Sequence, residues 1–189
     1  MPDTIEFTRH KIDFDAYFRM AELGILGRGD RVELINGEII DMAPIGRGHS
    51  AIVGRLNRTL VLEGGTKTIV WPQNSVALDR FNHPEPDFLL LRPRDDFYGT
   101  GERPNAQDVL LVIEVSDSSL AYDRKVKLPL YAQFGIGEYW IVDVKARLVE
   151  VYRDPDGNAY RTKSTHGAYD QLTLALAPDI TIGLGQLFG

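Results

Sequence analysis

The sequence predicts an α/β (α+β) fold, an α/β layer with a mixed sheet, entered through an N-terminal helix and a β-hairpin. Three observations carry this. The runs Val109–Ser116 and Glu138–Asp143 are almost wholly apolar, as strands covered on both faces are. Segments of helical periodicity, at about 12–23, 48–63 and 121–134, are interleaved with such strands. Asn36-Gly37 sits between β-rich flanks, and that dipeptide suits the positive φ angles of a two-residue hairpin turn. Apolar strands with intervening helices bury their faces against one another in layers.

The first helix follows from Phe14, Tyr17, Phe18 and Ala21 at i, i+3, i+4 and i+7, and Gly24, Gly27 and Gly29 end it. In the hairpin over 31–42, Ile35 pairs with Glu38, and Glu33 shares a face with Ile35, Glu38 and Ile40. In the second helix Ile52, Val53, Leu56 and Leu60 form the inner stripe. His49 falls on that stripe and reads as a satisfied core histidine. A strand is expected near 67–78, then a break at Asn82–Pro86, then a short strand from Asp87 to Leu91. Residues 92–108 are rich in Pro, Gly and Asp and read as loop. The third helix has Val126, Leu130 and Phe134 at four-residue steps, but Pro129 disfavours helix at Leu128 and predicts a kink or a later start. Arg147–Arg153 and Ala159–Lys163 read as strands joined by a turn at Asp154-Pro155-Asp156-Gly157.

A chain of 189 residues suits a single domain, residues 1–189, at roughly 100–200 residues per domain. Its 43% hydrophobic content, 25% charged content and net charge of −6 argue against a disordered chain. The same balance argues against binding nucleic acid through bulk positive charge. No apolar run approaches the roughly 18 residues of a membrane helix. With no cysteine, a disulfide framework, a thiolate metal site and a Cys nucleophile are excluded. The N-terminal stretch shows no signal-peptide pattern, so the expected location is cytoplasmic. The charge is uneven. Residues 84–123 hold three basic and nine acidic side chains, net −6, whereas residues 44–83 hold five and two, net +3.

Glu114 is the most informative residue. A carboxylate within Val-Ile-Glu-Val is costly to bury unless it is paired, protonated or metal-bound. Strand alternation puts Leu110, Val112, Glu114 and Ser116 on one face. Asp87 opens another strand, and on neighbouring strands the two carboxylates can share one divalent cation such as Mg²⁺. Two readings of Glu114 stand side by side at this point, a metal ligand and a buried salt bridge. Asp87 taken alone reads as a strand-end or turn residue. On the third helix Asp123, Lys127 and Tyr131 align at four-residue spacing. This is either an ordinary Asp–Lys pair or a fixed cation facing a phosphate.

These residues, in order, resemble the Uma2 (DUF820) endonuclease family within the PD-(D/E)XK nuclease superfamily. The resemblance rests on Glu33-Leu34-Ile35-Asn36-Gly37-Glu38-Ile39, Pro86-Asp87, Ile113-Glu114-Val115-Ser116, Tyr122-Asp123 and Lys127-Leu128. It continues through Leu130-Tyr131-Ala132 and Gly135-Ile136-Gly137-Glu138-Tyr139-Trp140-Ile141-Val142-Asp143, and spans about residues 10–155. It implies a restriction-endonuclease-like core, a mixed β-sheet flanked by helices, and a Mg²⁺- or Mn²⁺-dependent endonuclease acting on DNA. Asp87 matches the family's Asp after Pro, Glu114 the acidic residue of the (D/E)XK element, and Glu33 an acidic residue near the start of the core. The superfamily Lys would stand at position 116, which is Ser116 here, and the resemblance points instead to Lys127 on the following helix.

On this reading Asp87 and Glu114 hold the metal, with the Val115 carbonyl as a third ligand. A metal-activated water attacks the phosphodiester, and Lys127 orients it. Glu33 binds a second cation or holds Lys127, and Asp123 orients Lys127. Arg47, Arg55, Arg58 and Lys67, in the basic block, are the candidate DNA contacts, and a solvated helix face is their ordinary alternative. The resemblance also implies a homodimer, which pools two such patches. Tyr139 and Trp140 read as sheet packing, with base stacking as the alternative. The competing function is a nuclease-fold binding or interaction module of weak or lost catalysis, to which Ser116 at the superfamily's Lys position would contribute.

Overall fold

The computed structural model describes residues 8–27 and 29–188. The first seven residues of the stretch read for a signal, together with residues 28 and 189, lie outside the described residues. Helix α1 (Phe14–Glu22) leads to a hairpin of β1 (Val32–Ile35) and β2 (Glu38–Asp41). The long helix α2 (Arg47–Gly64) follows, then β3 (Ile69–Pro72) and β4 (Phe88–Leu91). The central strand β5 (Val109–Ser116) enters a continuous helical segment: α3 (Leu120–Tyr122), a π turn (Asp123–Lys127) and α4 (Leu128–Gln133). Then come β6 (Glu138–Asp143), β7 (Leu148–Asp156), β8 (Ala159–His166), β9 (Gln171–Thr173), β10 (Thr181–Gly183) and α5 (Gly185–Phe188).

Strands β3 to β8 form one six-stranded sheet in chain order. Only β5 and β6 run parallel, because the helical segment carries the chain back across the sheet between them; the other neighbours are antiparallel. On one face Ile52, Leu56 and Leu60 of α2 pack with Ile113, Val115, Trp140 and the C-terminal residues Leu184 and Leu187. On the other, Tyr131 packs with Val112, Tyr139 and Ile141. The sheet is therefore covered twice, and β5 is buried along its whole length. No helix among the described residues is long and apolar enough to cross a membrane.

The hairpin forms as its turn chemistry predicts. Asn36 and Gly37 take φ of +52° and +75°, and Ile35 pairs with Glu38. A side chain at Gly37 would also meet Lys11 Cβ at 2.7 Å. The hairpin docks on the 79–83 turn, where Asn36 N–H donates to Asn82 Oδ1 and Gly37 N–H donates to the Phe81 carbonyl.

Several expectations change. The apolar stripe of α1 leaves no helix residue buried, and Phe18 stays exposed. The strand expected over 67–78 pairs only from Ile69 to Pro72. Leu110 joins the α2-side cluster rather than sharing Glu114's face, where the β4–β5 register shifts at Leu90/Leu91. Strand β7 continues through Pro155, and the turn falls at Gly157 and Asn158. Pro155 is tolerated because β6 pairing ends at Arg153, so its missing N–H costs no bond on that side. In the third helical segment Val126 and Phe134 are only half-buried, whereas Asp123, Lys127 and Tyr131 face inward. The helix neither stops nor starts late at Pro129. Leu128 N–H bonds back five residues to the Asp123 carbonyl, and this wider turn accommodates a residue with no N–H and a bulky ring. Tyr139 and Trp140 are fully buried, which removes base stacking as a role for either.

Candidate active site

The strand end of β5, the hairpin, the start of α2 and the α3–π segment enclose a cavity of roughly 320 Å³. Asp87, Glu114, Val115, Glu33 and Lys127 all line it. The structure brings these five together from β1, the turn before β4, β5 and the π turn.

Lys127 is at the centre. Its Nζ lies 2.9 Å from Glu114 Oε1 and 3.1 Å from Glu33 Oε2, with all three side chains buried. Burial alone would lower the ammonium's pKa, but the charges of Glu114 and Glu33 outweigh it and raise the pKa above the ordinary lysine value. Tyr131 Oη also donates to Glu114 Oε1, at 3.0 Å. Burial holds the Glu114 carboxyl well above the usual carboxylate range, with Lys127 opposing. Of the two readings of Glu114, the buried salt bridge is present, and the same carboxylate lines the cavity.

Glu33 comes from β1. Its Oε2 accepts Glu85 N–H at 3.0 Å, and its Oε1 accepts the Tyr122 hydroxyl at 3.1 Å. The hairpin thereby delivers a carboxylate that holds Lys127. Asp87 ends the turn before β4. Its Oδ2 accepts Val115 N–H at 2.8 Å, which ties it one residue past Glu114 on β5. Its Oδ1 lies 2.9 Å from His49 Nε2. Gly46 permits the start of α2 to approach this point, since a Cβ there would meet Asp117 Oδ2 at 2.7 Å.

Asp123 takes a different place from the one expected. It does not orient Lys127 by contact. Its Oδ2 accepts the Ser116 and Ser119 hydroxyls at 2.6 and 2.7 Å, so Ser116 occupies the superfamily's Lys position as a partner of Asp123. Burial raises the Asp123 pKa, with those two hydroxyls opposing.

The basic residues are not gathered here. Arg47, Arg55 and Arg58 are exposed along α2, an 18-residue helix some 27 Å long, and only Arg47 is at the cavity end. Arg55 donates to the Leu187 carbonyl, and Lys67 faces Asp179 at 3.8 Å. None of the four lines the cavity.

His49 is the residue that periodicity missed. It faces the cavity rather than a satisfied core, and its Nδ1 is buried without a hydrogen-bond partner. The signal was present: it is a polar ring aligned with the stripe of Ile52, Val53, Leu56 and Leu60, in the first turn after a Pro- and Gly-containing loop. Tyr122, part of the stretch that carries the resemblance, and Glu85 also line the cavity, and neither stands at a diagnostic spacing.

The donor set suits a hard divalent cation, since Asp87 and Glu114 offer carboxylate oxygens to one cavity. Both bonds to Glu114 fall on Oε1, which leaves Oε2. Asp87 Oδ1, by contrast, is occupied by His49, and no group of three His, Asp or Glu side chains among the described residues is arranged to hold an ion. A cation held here would share Asp87 with His49, since the carboxylate's two oxygens carry about four lone-pair sites.

A sheet with one parallel step, helices on both faces and a carboxylate–lysine cavity at the central strand's end is a nuclease-like fold. A solved structure, described as "a putative nuclease belonging to DUF820" from Anabaena variabilis, superposes with a TM-score of 0.67. It is 16% identical, and the match covers 94% of this chain and 97% of that one, a likeness of fold. The chain itself belongs to the Uma2 family, whose model, described as "Putative restriction endonuclease", matches residues 14–185. No curated protein matches the chain.

Proposed function

We propose that the chain is a metal-dependent endonuclease that hydrolyses DNA phosphodiester bonds. The observation that carries this is the convergence of Asp87, Glu114 and Lys127 on one cavity of a chain in the Uma2 family. Asp87 and Glu114, with the Val115 carbonyl, are the groups that would hold Mg²⁺ or Mn²⁺. Such an ion supplies Lewis-acid charge at the phosphate and lowers the pKa of a water. Lys127 keeps its charge through Glu33 and Glu114 and sets a fixed positive potential beside Glu114. Val115 N–H and His49 orient the Asp87 carboxylate, while Tyr131 and Lys127 orient Glu114. A homodimer belongs to this reading. Its support is β3, an edge strand beside a groove that the exposed side chains of Val61 and Phe97 also line.

The test is cleavage of supercoiled and single-stranded DNA with Mg²⁺ or Mn²⁺ by the wild type, Asp87→Ala and Lys127→Ala. Cleavage by the wild type alone supports the reading. Equal cleavage by all three sinks the site. No cleavage, with no metal binding by calorimetry, favours the interaction module, for which the observation is the engagement of Asp87 and Lys127 by protein partners.

A further inference from the structure

The cavity that Lys127 lines is strongly acidic. Seven carboxylate side chains line it, against Lys127 and Arg31 as the only Lys or Arg residues among the described lining. A phosphodiester entering it meets repulsion unless a cation is free to receive it. Lys127 is not free in this sense, because two carboxylates stand within 3.1 Å of its ammonium, which is itself buried.

Arg31 differs on each point. It precedes β1 at the base of the hairpin and is half-buried. Its Nη1 donates to the Ala43 carbonyl at 2.9 Å, which fixes the guanidinium against the loop that leads into α2. Among the described residues it forms no ion pair. A guanidinium carries five N–H donors in a planar fork that matches two phosphate oxygens, and one bond to a carbonyl leaves most of that fork available. Arg31 also lines the cavity together with Glu33, Glu85 and Asp87.

We propose that Arg31 is the phosphate-binding residue of this site, and that it receives the non-bridging oxygens of a nucleic-acid phosphodiester at the cavity mouth. This rests on the nuclease reading and changes where its substrate contact lies. The phosphate is held by a pre-oriented Arg on the hairpin rather than by the basic residues spread along α2. Lys127 serves the carboxylates, and Arg31 serves the substrate.

The test is fluorescence anisotropy of a labelled 20-mer duplex, titrated at several KCl concentrations with Ca²⁺ present, for the wild type, Arg31→Ala, Arg31→Gln and Arg31→Lys. Thermal melting of each variant runs alongside. A phosphate contact predicts roughly tenfold or greater weakening in the Ala and Gln variants at low salt. It also predicts a drop of about one in the slope of log K against log salt. Arg31→Lys restores the slope without restoring full affinity, because it keeps the charge and loses the fork. Gln guards against a folding artefact, since its amide can still donate to Ala43. Unchanged affinity and slope in a folded Arg31→Gln overturn the assignment. If the wild type cleaves and binds normally, that failure is of Arg31 alone; if it neither binds nor cleaves DNA, the nuclease reading falls and the assignment with it.

Discussion

The Lys127 ammonium lies 2.9 Å from Glu114 Oε1, and this contact joins the π turn to the central strand with both side chains buried. The pair is held from a second side by Glu33, so one cation ties the hairpin, the sheet and the helical segment together. Replacing the cation by a neutral group leaves two buried carboxylates without compensation.

Lys127→Met should therefore destabilise the fold by about 3–5 kcal/mol. The effect has a pH signature. Glu114 is already held above its unfolded value of 4.5, and losing Lys127 moves it further up. A carboxyl raised in the folded state is still protonated there when the unfolded chain has released its proton. The unfolded value is common to both proteins, so the variant's deficit grows only as pH rises through the wild type's own raised Glu114 pKa, and it is smallest in acid. Melting the wild type and variant at pH 5 and pH 8 checks this; equal deficits at the two values contradict it.

His49 concerns function more than stability. Without it Asp87 keeps Val115 N–H but loses its contact at Oδ1. His49→Ala should cost about 1–2 kcal/mol of stability and lower the DNA-cleavage rate at least tenfold through a poorly oriented Asp87. His49→Gln, whose amide N–H can reach the same oxygen, should recover part of that rate. A purely structural histidine would show matched losses in melting temperature and no selective rescue of rate.

Tyr131→Phe removes one donor to Glu114 and leaves the aromatic packing on Tyr139, whose ring centroid is 5.0 Å away. The expected loss is about 1–2 kcal/mol, smaller than for Lys127→Met because no charge is orphaned. Chemical denaturation of both variants at pH 7 gives the ranking directly.

His83 should impose an acid limit on the fold. It stacks on Phe14 at 3.8 Å, and burial, then Arg103, pushes its pKa down to about 4 from 6.5. Between those values the unfolded chain binds a proton that the folded chain refuses, so stability falls as pH drops from 6.5 towards 4. His83→Phe keeps the stack and should flatten this slope, as urea melts at pH 7, 5 and 4 would show; an unchanged slope assigns it elsewhere.

Features set by neighbouring residues were legible before any fold was known. Asn36-Gly37 determined the hairpin because its turn needs positive φ at both positions. The apolar runs Val109–Ser116 and Glu138–Asp143 determined two central strands, and the stripe of Ile52, Leu56 and Leu60 determined α2. Asp87, Glu114 and Lys127 stood out because a charge is costly among apolar neighbours or sits at a motif spacing. The choice of partners was different. Nothing near Lys127 in the chain names Glu33, which only the family resemblance offered as its holder; nothing near Asp87 names His49, and Asp123 pairs with Ser116 and Ser119 rather than with Lys127. The inward turn of Asp123, Lys127 and Tyr131, against the apolar stripe of their own helix, also came only with the fold. Local conformation follows from backbone sterics and side-chain periodicity, which act over a few residues. Which buried charge meets which depends on the three-dimensional packing that excludes water from both, and that was decided by the tertiary structure alone.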